Sequence, residues 1–354
     1  MTLPTEPVGS VPRSPELQTA MQQFSNGQID RSQMDLAFDD AVKDTISRFE
    51  GTGSPIVSDG EQSKSSFATY LMDGLENLAP DGVVIPFDDG HTRQLPRLTS
   101  GPFKYGLYAG SYLTRAKRFA TKPLKQAVIS ASAMSLLYPE DGINGYSQSD
   151  FTDDLIAQAV ADIRSCFDNG AQVVQVDFTE GRLAVKLDPS KALLKQFVDL
   201  NNHVFSAFSD EERQRIGVHT CPGGDHNSTH SADVNYGELI PILMDLDVGS
   251  FYMQMASEEK PEDALSIIGK NIKANQRVFV GVIDVIDNTV ESAEVVKDRI
   301  LTAAKHIPLD QLGTTDDCGF SPFGDDLATS RDTAFLKIEA RVAGTQLASE
   351  ELGV

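Results

Sequence analysis

Ile216-Gly217-Val218-His219-Thr220-Cys221-Pro222-Gly223-Gly224, taken with the distant Asp316-Asp317-Cys318-Gly319, decides how this chain is read. Side chains alternate across a β-strand with period two, so His219 and Cys221 leave the same face and can point at one cation. An imidazole and a thiolate so placed make half of a zinc site. Cys318 is far too distant for a zinc finger, so the fold has to carry it back to the same point. Three N/S ligands with one position open is the arrangement of catalytic rather than structural zinc. The plainer alternative makes His219 and Cys221 the end of a buried strand and Cys318 an ordinary core thiol. Pro222-Gly223-Gly224 and Gly319 weigh against it, because they are strand-ending turns, where sites concentrate.

Outward from this pair, short apolar runs alternate with helical patterns. Strands are expected at Pro7–Val11, Pro55–Glu61, Gln126–Ala131, Ala171–Phe178, Arg215–Cys221, Ser250–Met255, Arg277–Asp284 and Leu312–Gly319. Helices are expected at Pro15–Phe24, Ser32–Glu50, Ser149–Phe167 with Ser149 and Asp150 as caps, Ser190–Phe208, Tyr236–Leu246, Pro261–Ile272, Ser292–His306 and Thr329–Leu347. Eight strands alternating with helices predict an α/β fold, a (β/α)8 TIM barrel. It would be a single domain over residues 1–354, with an insertion after the second strand at about 67–121, where Gly, Pro, Tyr and basic residues break the pattern. An open doubly wound sheet is the competing architecture, but no strand is followed by Gly-x-Gly-x-x-Gly. A barrel brings the ends of strands five and eight to one rim, which explains how Cys318 returns to His219 and Cys221.

Composition narrows the partners. The 354 residues carry 30 basic and 52 acidic side chains, a net charge of −22, which repels phosphate backbones and anionic lipid. Neither nucleic acid nor a membrane surface is an expected partner. There is no apolar run of transmembrane length, and Met1-Thr2-Leu3-Pro4-Thr5-Glu6 has no signal-peptide character, so a cytoplasmic protein is expected. Three cysteines do not make a disulfide framework, and a reducing compartment suits thiolate ligands. Nothing in the sequence favours a particular oligomeric state.

If strand ends converge, their charged termini should build the rest of the site. Glu61 and Asp177 end the second and fourth strands, where a carboxylate suits a substrate amine or hydroxyl. Glu180, Asp284 and Asp287 are equally well read as helix caps or loop acids. Tyr252 and Gln254 share a face of the sixth strand. Either is read as approaching the metal or filling the barrel, and Gln254 is the candidate fourth ligand through its amide oxygen. His226, His230 and Asp233 follow the metal pair on a loop; the two histidines are candidate acid or base groups. His91, His203 and His306 read as surface residues, and Cys166 as core.

These residues resemble the cobalamin-independent methionine synthase family, specifically its C-terminal zinc barrel and single-barrel relatives that include epoxyalkane:coenzyme M transferases. Val8-Gly9-Ser10-Val11-Pro12-Arg13 is similar to the family's Ile-Gly-Ser-Phe-Pro start, which implies that Ser10 helps hold homocysteine. Asp59-Gly60-Glu61 resembles His-Gly-Glu, and Gln175-Val176-Asp177 resembles Gln-Ile-Asp. The resemblance implies that Glu61 and Asp177 bind the amino-acid substrate, Asp177 at its amine. His219-Thr220-Cys221 and Asp317-Cys318-Gly319 resemble the zinc motifs. The implied activity is zinc-dependent methyl transfer to homocysteine, with a small-molecule thiol and an alkyl donor as partners. Epoxide opening by a thiol, a barrel lyase like uroporphyrinogen decarboxylase and a non-catalytic zinc or thiol sensor are the rivals. Two departures bear on chemistry: Tyr252 or Gln254 stands where the family has a Glu ligand, and Ile286 stands where it has a proton-donating His. A donor whose leaving group needs no acid, a corrinoid methyl group or a strained epoxide, is therefore expected.

Overall fold

The computed structural model describes residues 2–354. Six parallel strands form its centre: β1 (Lys125–Ile129), β2 (Val173–Asp177), β3 (Ile216–Thr220), β4 (Ser250–Met253), β5 (Arg277–Ile283) and β6 (Leu312–Asp316). They pair in sequence order, each with the next. Their β-branched, almost uninterrupted burial is what a parallel sheet covered on both faces demands.

The first two expected strands contract to single bridges that complete the ring. Thr5 pairs in parallel with Thr314 of β6, and Val57 with Leu124 just before β1. Between them, Val11 N donates to Gly60 O at 3.1 Å and Ser58 Oγ to Gly9 O at 2.9 Å. Pro4, Pro7, Pro12 and Pro55 lack the N–H that a longer ladder needs, which keeps both strands short. The architecture is therefore the expected (β/α)8 type.

The chain's longer helices include α1 (Pro15–Ser25), α2 (Arg31–Gly51), α3 (Gln148–Asp168), α4 (Gly181–Leu187), α5 (Ala192–Phe205), α6 (Pro261–Asn271), α7 (Ala293–Ala303) and α8 (Arg331–Leu352). Helix α3 is capped by Ser147 rather than Ser149: Ser147 Oγ accepts from Asp150 N, and Asp150 closes the box on Ser147 N. Residues 236–246 do not form one helix. They make a 3-10 turn (Tyr236–Glu238) and a short helix (Ile240–Leu243), with Pro241 admitted only in the first turn. Helix α4 was not expected from the sequence. No helix among the described residues is long and apolar enough to cross a membrane.

Residues 67–121 carry two small antiparallel pairs, Leu78–Ala79 with Arg97–Leu98 and Val84–Pro86 with Thr92–Gln94, and a helix at Gly110–Ala116. The base packs on α3, where Asp162 Oδ1 accepts from Ala109 N at 2.6 Å and Gln158 Oε1 from Tyr105 N at 2.8 Å. The tip reaches the opposite side of the mouth. Asp88 N donates to Thr229 O at 3.0 Å, and Thr229 Oγ1 to Asp88 Oδ2 at 2.8 Å.

Arg13 ties the mouth together. It is 3 % exposed, and its guanidinium donates to Ser321 O, Phe323 O, Glu61 O and Lys64 O at 2.7–3.0 Å. Arg13→Ala strands these buried carbonyls, so unfolding free energy should fall by about 3 kcal/mol. A denaturant midpoint unchanged from the parent would show that the clamp is not needed.

Candidate functional site

The cluster sits where β3 and β6 end. His219 is the next-to-last residue of β3, in register with Asp177 on one side and Tyr252 on the other. Cys221 follows the strand directly, and Cys318 follows β6 after the turn-forming Asp317. Their ligand atoms all lie within 4.8 Å of one another, and Cys221 Sγ is 3.4 Å from Cys318 Sγ. The latter distance is far beyond a disulfide bond and close to the roughly 3.8 Å that two thiolates on one tetrahedral zinc would show.

Hydrogen bonds orient the donors. His219 Nδ1 lies 3.2 Å from Tyr252 O, which makes it the N–H donor; in the neutral ring Nε2 then carries the lone pair, and that atom is buried with no hydrogen-bond partner. Gly223 N donates to Cys221 Sγ at 3.3 Å. Cys318 and the imidazole push the Cys221 thiol well below its usual range, while the same sulfur contact and burial push Cys318 up. Cys221 is thus the more acidic of the pair. Burial pulls His219 down, but Cys221 and Asp177 more than offset it.

Asp317 secures the cluster from behind. Its carboxylate accepts from Met255 N, Ala256 N, Ser257 N and Ser257 Oγ at 2.7–2.9 Å, tying the turn after β4 to the end of β6. Two glycines make the approach possible. A Cβ on Gly319 would lie 2.0 Å from Ser10 Oγ, and one on Gly223, at φ +74, 1.8 Å from His230 Nε2.

A small cavity of about 70 Å³ lies against the thiols, and Ser10, Glu61 and Asp177 line it together with His219, Cys221 and Cys318. The six strongest sequence candidates therefore meet in one place. Asp177 Oδ1 accepts from Gln175 Nε2 at 2.7 Å, and burial pushes its pKa up to about 6, leaving it ionised at neutral pH. Glu61, held at φ 57, pairs through Oε1 with Lys64 Nζ at 2.9 Å. Lys64 is fully buried, donates also to Ala127 O at 2.8 Å, and its charge is favoured by Glu61 and Asp59 despite burial.

The two loop histidines part ways. His230 lines the cavity, its Nδ1 unpartnered, and burial lowers its pKa to about 4, so the ring is neutral at pH 7. His226 points away, into a network with Asp225, Arg93 and Asp326. His91, expected at the surface, is half-buried there between Asp89 and Asp225. Asp233 pairs with Lys186 at the surface. Gln254 lies outside the cavity lining, its amide nitrogen on Glu258 at 3.0 Å, and the Tyr252 hydroxyl donates to Glu6 at 2.6 Å. Asp284 accepts from Ile286 N in a loop turn, and Ile286 packs against the core.

Sequence reasoning missed Lys64, and it missed Phe67, Phe87, Arg93 and Phe323, which also line the small cavity. Lys64 has one legible sign, a cation three residues beyond a strand-end Glu. The others come from irregular segments whose return to the mouth no periodicity announces.

Buried thiols beside an imidazole nitrogen with no partner, at the carboxyl end of a parallel barrel, place the chain among barrel enzymes that act on small molecules. The family described as "Cobalamin-independent synthase, Catalytic domain" matches residues 3–331. The chain belongs to this family, and with it to the methyltransferases. It is 22% identical over 352 residues to a methionine synthase of Sulfurisphaera tokodaii, covering 99% of this chain and 94% of that protein. A methionine synthase of Sulfolobus acidocaldarius is 24% identical over 357 residues, covering 99% and 93%. The solved structure of a B12-independent methionine synthase from Shewanella sp. W3-18-1 in complex with selenomethionine shares the fold, with a TM-score of 0.76, 20% identity and 99% of each chain covered.

Proposed function

We propose that this chain is a zinc-dependent S-methyltransferase that transfers a methyl group to homocysteine. The observation that carries the reading is the buried, unpartnered Nε2 of His219 facing two thiols whose sulfurs are 3.4 Å apart. A lone pair without a donor in a buried site is costly, and a soft divalent cation satisfies it together with both sulfurs. The donor set of one imidazole and two thiolates fits zinc with a position left for substrate. His219, Cys221 and Cys318 would hold it. When bound there, zinc keeps a thiol substrate ionised at neutral pH.

The remaining work falls to the protein. Asp177, ionised and beside the cluster, suits the substrate ammonium. Lys64 holds Glu61 in place as a second acceptor, and Ser10 closes the wall next to Gly319. His230, neutral at pH 7, is a poor proton donor, and Ile286 supplies none.

Incubating the zinc-loaded protein with homocysteine and candidate donors, with thioether identified by mass spectrometry, tests the reading. Methionine above the protein-free rate is expected, whereas no thioether with any donor would refute it. Asp177→Asn should weaken homocysteine binding about 10- to 100-fold at near-normal zinc content, since it removes a charged contact. Lost zinc with unchanged thiol affinity would reverse the assigned roles.

A further inference from the structure

A second, larger cavity of about 630 Å³ adjoins the thiol pocket; Phe67, Ile85, Arg93, Thr179, His230 and Phe323 line both. Arg93 is the one Lys or Arg among its described lining residues. Its guanidinium pairs with two carboxylates, Nε and Nη2 on Asp225 at 2.5 and 3.2 Å, Nη1 and Nη2 on Asp325 at 3.0 and 2.8 Å, and Nη2 also lies 2.9 Å from His226 Nε2. Asp325 and Glu180 stand in the same wall, so its formal charge is negative, with burial raising the Glu180 pKa against the hydrogen bonds from Ser132 and Ser130.

Glu180 carries the second observation. It is 4 % exposed, and its Oε1 accepts from Ser130 Oγ at 2.7 Å and from Ser132 Oγ. Its Oε2 is buried with no partner in a residue that lines the cavity. Such an oxygen is best satisfied by a ligand bringing positive charge. Phe67 and Phe323 meet edge to face at 5.5 Å where the two cavities join, with Phe87 in the inner wall; the Arg93 guanidinium already lies 4.2 Å from the centre of the Phe323 ring, which leaves Phe67 as the ring open to a ligand. Ring faces attract alkylated cations. Much of the remaining lining, Met21, Ile85, Leu95, Met134, Leu136 and Leu183, is apolar.

We propose that the alkyl donor of this chain is an onium compound, a methylsulfonium or quaternary methylammonium on an apolar body, with Phe67 at its charged head and Glu180 as counter-charge. The proposal rests on the thiol-activating reading of the inner site. In the transfer, the substrate thiolate forms a new C–S bond to the methyl carbon. The bond from that carbon to the onium sulfur or nitrogen breaks, its electron pair staying with the leaving atom, which departs neutral. No proton has to be delivered. A polyanionic donor would meet a net negative wall whose one cation is already paired.

The test gives zinc-loaded protein homocysteine with, in parallel, dimethyl(2-phenylethyl)sulfonium, a methyltetrahydrofolate triglutamate or methyl iodide, reading thioether by mass spectrometry. The sulfonium should exceed the folate in kcat/KM by at least about tenfold. Glu180→Gln and, separately, Phe67→Leu should each lower the ratio of sulfonium to methyl iodide reactivity, about tenfold for Glu180→Gln, chiefly through KM. A ratio unchanged in both variants, or a folate that outruns the sulfonium, overturns the proposal. Methyl iodide needs no donor site. If the protein does not speed its reaction with homocysteine, the thiol-activation reading itself fails; if it does and the sulfonium shows no preference, only the onium assignment falls.

Discussion

Cys318→Ala should lose most of its zinc and nearly all thioether formation. Removing one of three protein ligands leaves an imidazole and one thiolate, and two donors do not hold zinc against buffer. Loss of a group that merely orients a ligand typically costs 10- to 100-fold in metal affinity, so deleting a ligand should exceed about 100-fold. The fold should survive, because Asp317, not Cys318, carries the hydrogen bonds that tie β6 to the turn after β4. Metal analysis after dialysis, beside a far-UV spectrum, separates the two effects. Full zinc retained in a folded Cys318→Ala protein would contradict the assignment.

Lys64→Met should be the most damaging substitution to stability near the site. Lys64 Nζ is fully buried and bonds Glu61 Oε1 and Ala127 O, with the Tyr70 ring 4.5 Å away. Taking away the cation leaves Glu61 charged in a buried pocket, a loss of about 3–5 kcal/mol. Adding Glu61→Gln removes the stranded charge, so the double variant should recover a large part of that stability while still binding homocysteine poorly. Denaturant unfolding of both singles and the double gives the coupling. Strict additivity would mean that the pair does not act as a unit.

How much of this was legible depends on the signal each element carries. The six long strands and their order follow from β-branched runs, and His219, Cys221 and Cys318 from period-two alternation plus the rule that barrel strands end on one rim. The first two strands are shorter than their apolar runs suggest, because their prolines allow only single bridges. The pairing of His226 and His230 as equivalent loop groups did not hold geometrically. Positive φ at His226 and Asn227 folds a tight hairpin that sends His226 outward to Arg93 and leaves His230 facing the thiols. That conformation is rare outside glycine, so the sequence does not announce it. Arg93 and Phe87 reach the mouth only because the 84–94 hairpin docks on residues 228–229, a long-range contact with no local pattern. Lys64 was hidden for a different reason, since a cation in a polar turn is ordinarily solvated.

Zinc-edge X-ray absorption, with and without homocysteine, tests the central claim most directly. The account predicts two sulfur neighbours at about 2.3 Å in the resting protein, from Cys221 and Cys318, and three after homocysteine is added. A sulfur count that does not rise on adding homocysteine, at concentrations that support methyl transfer, would contradict it.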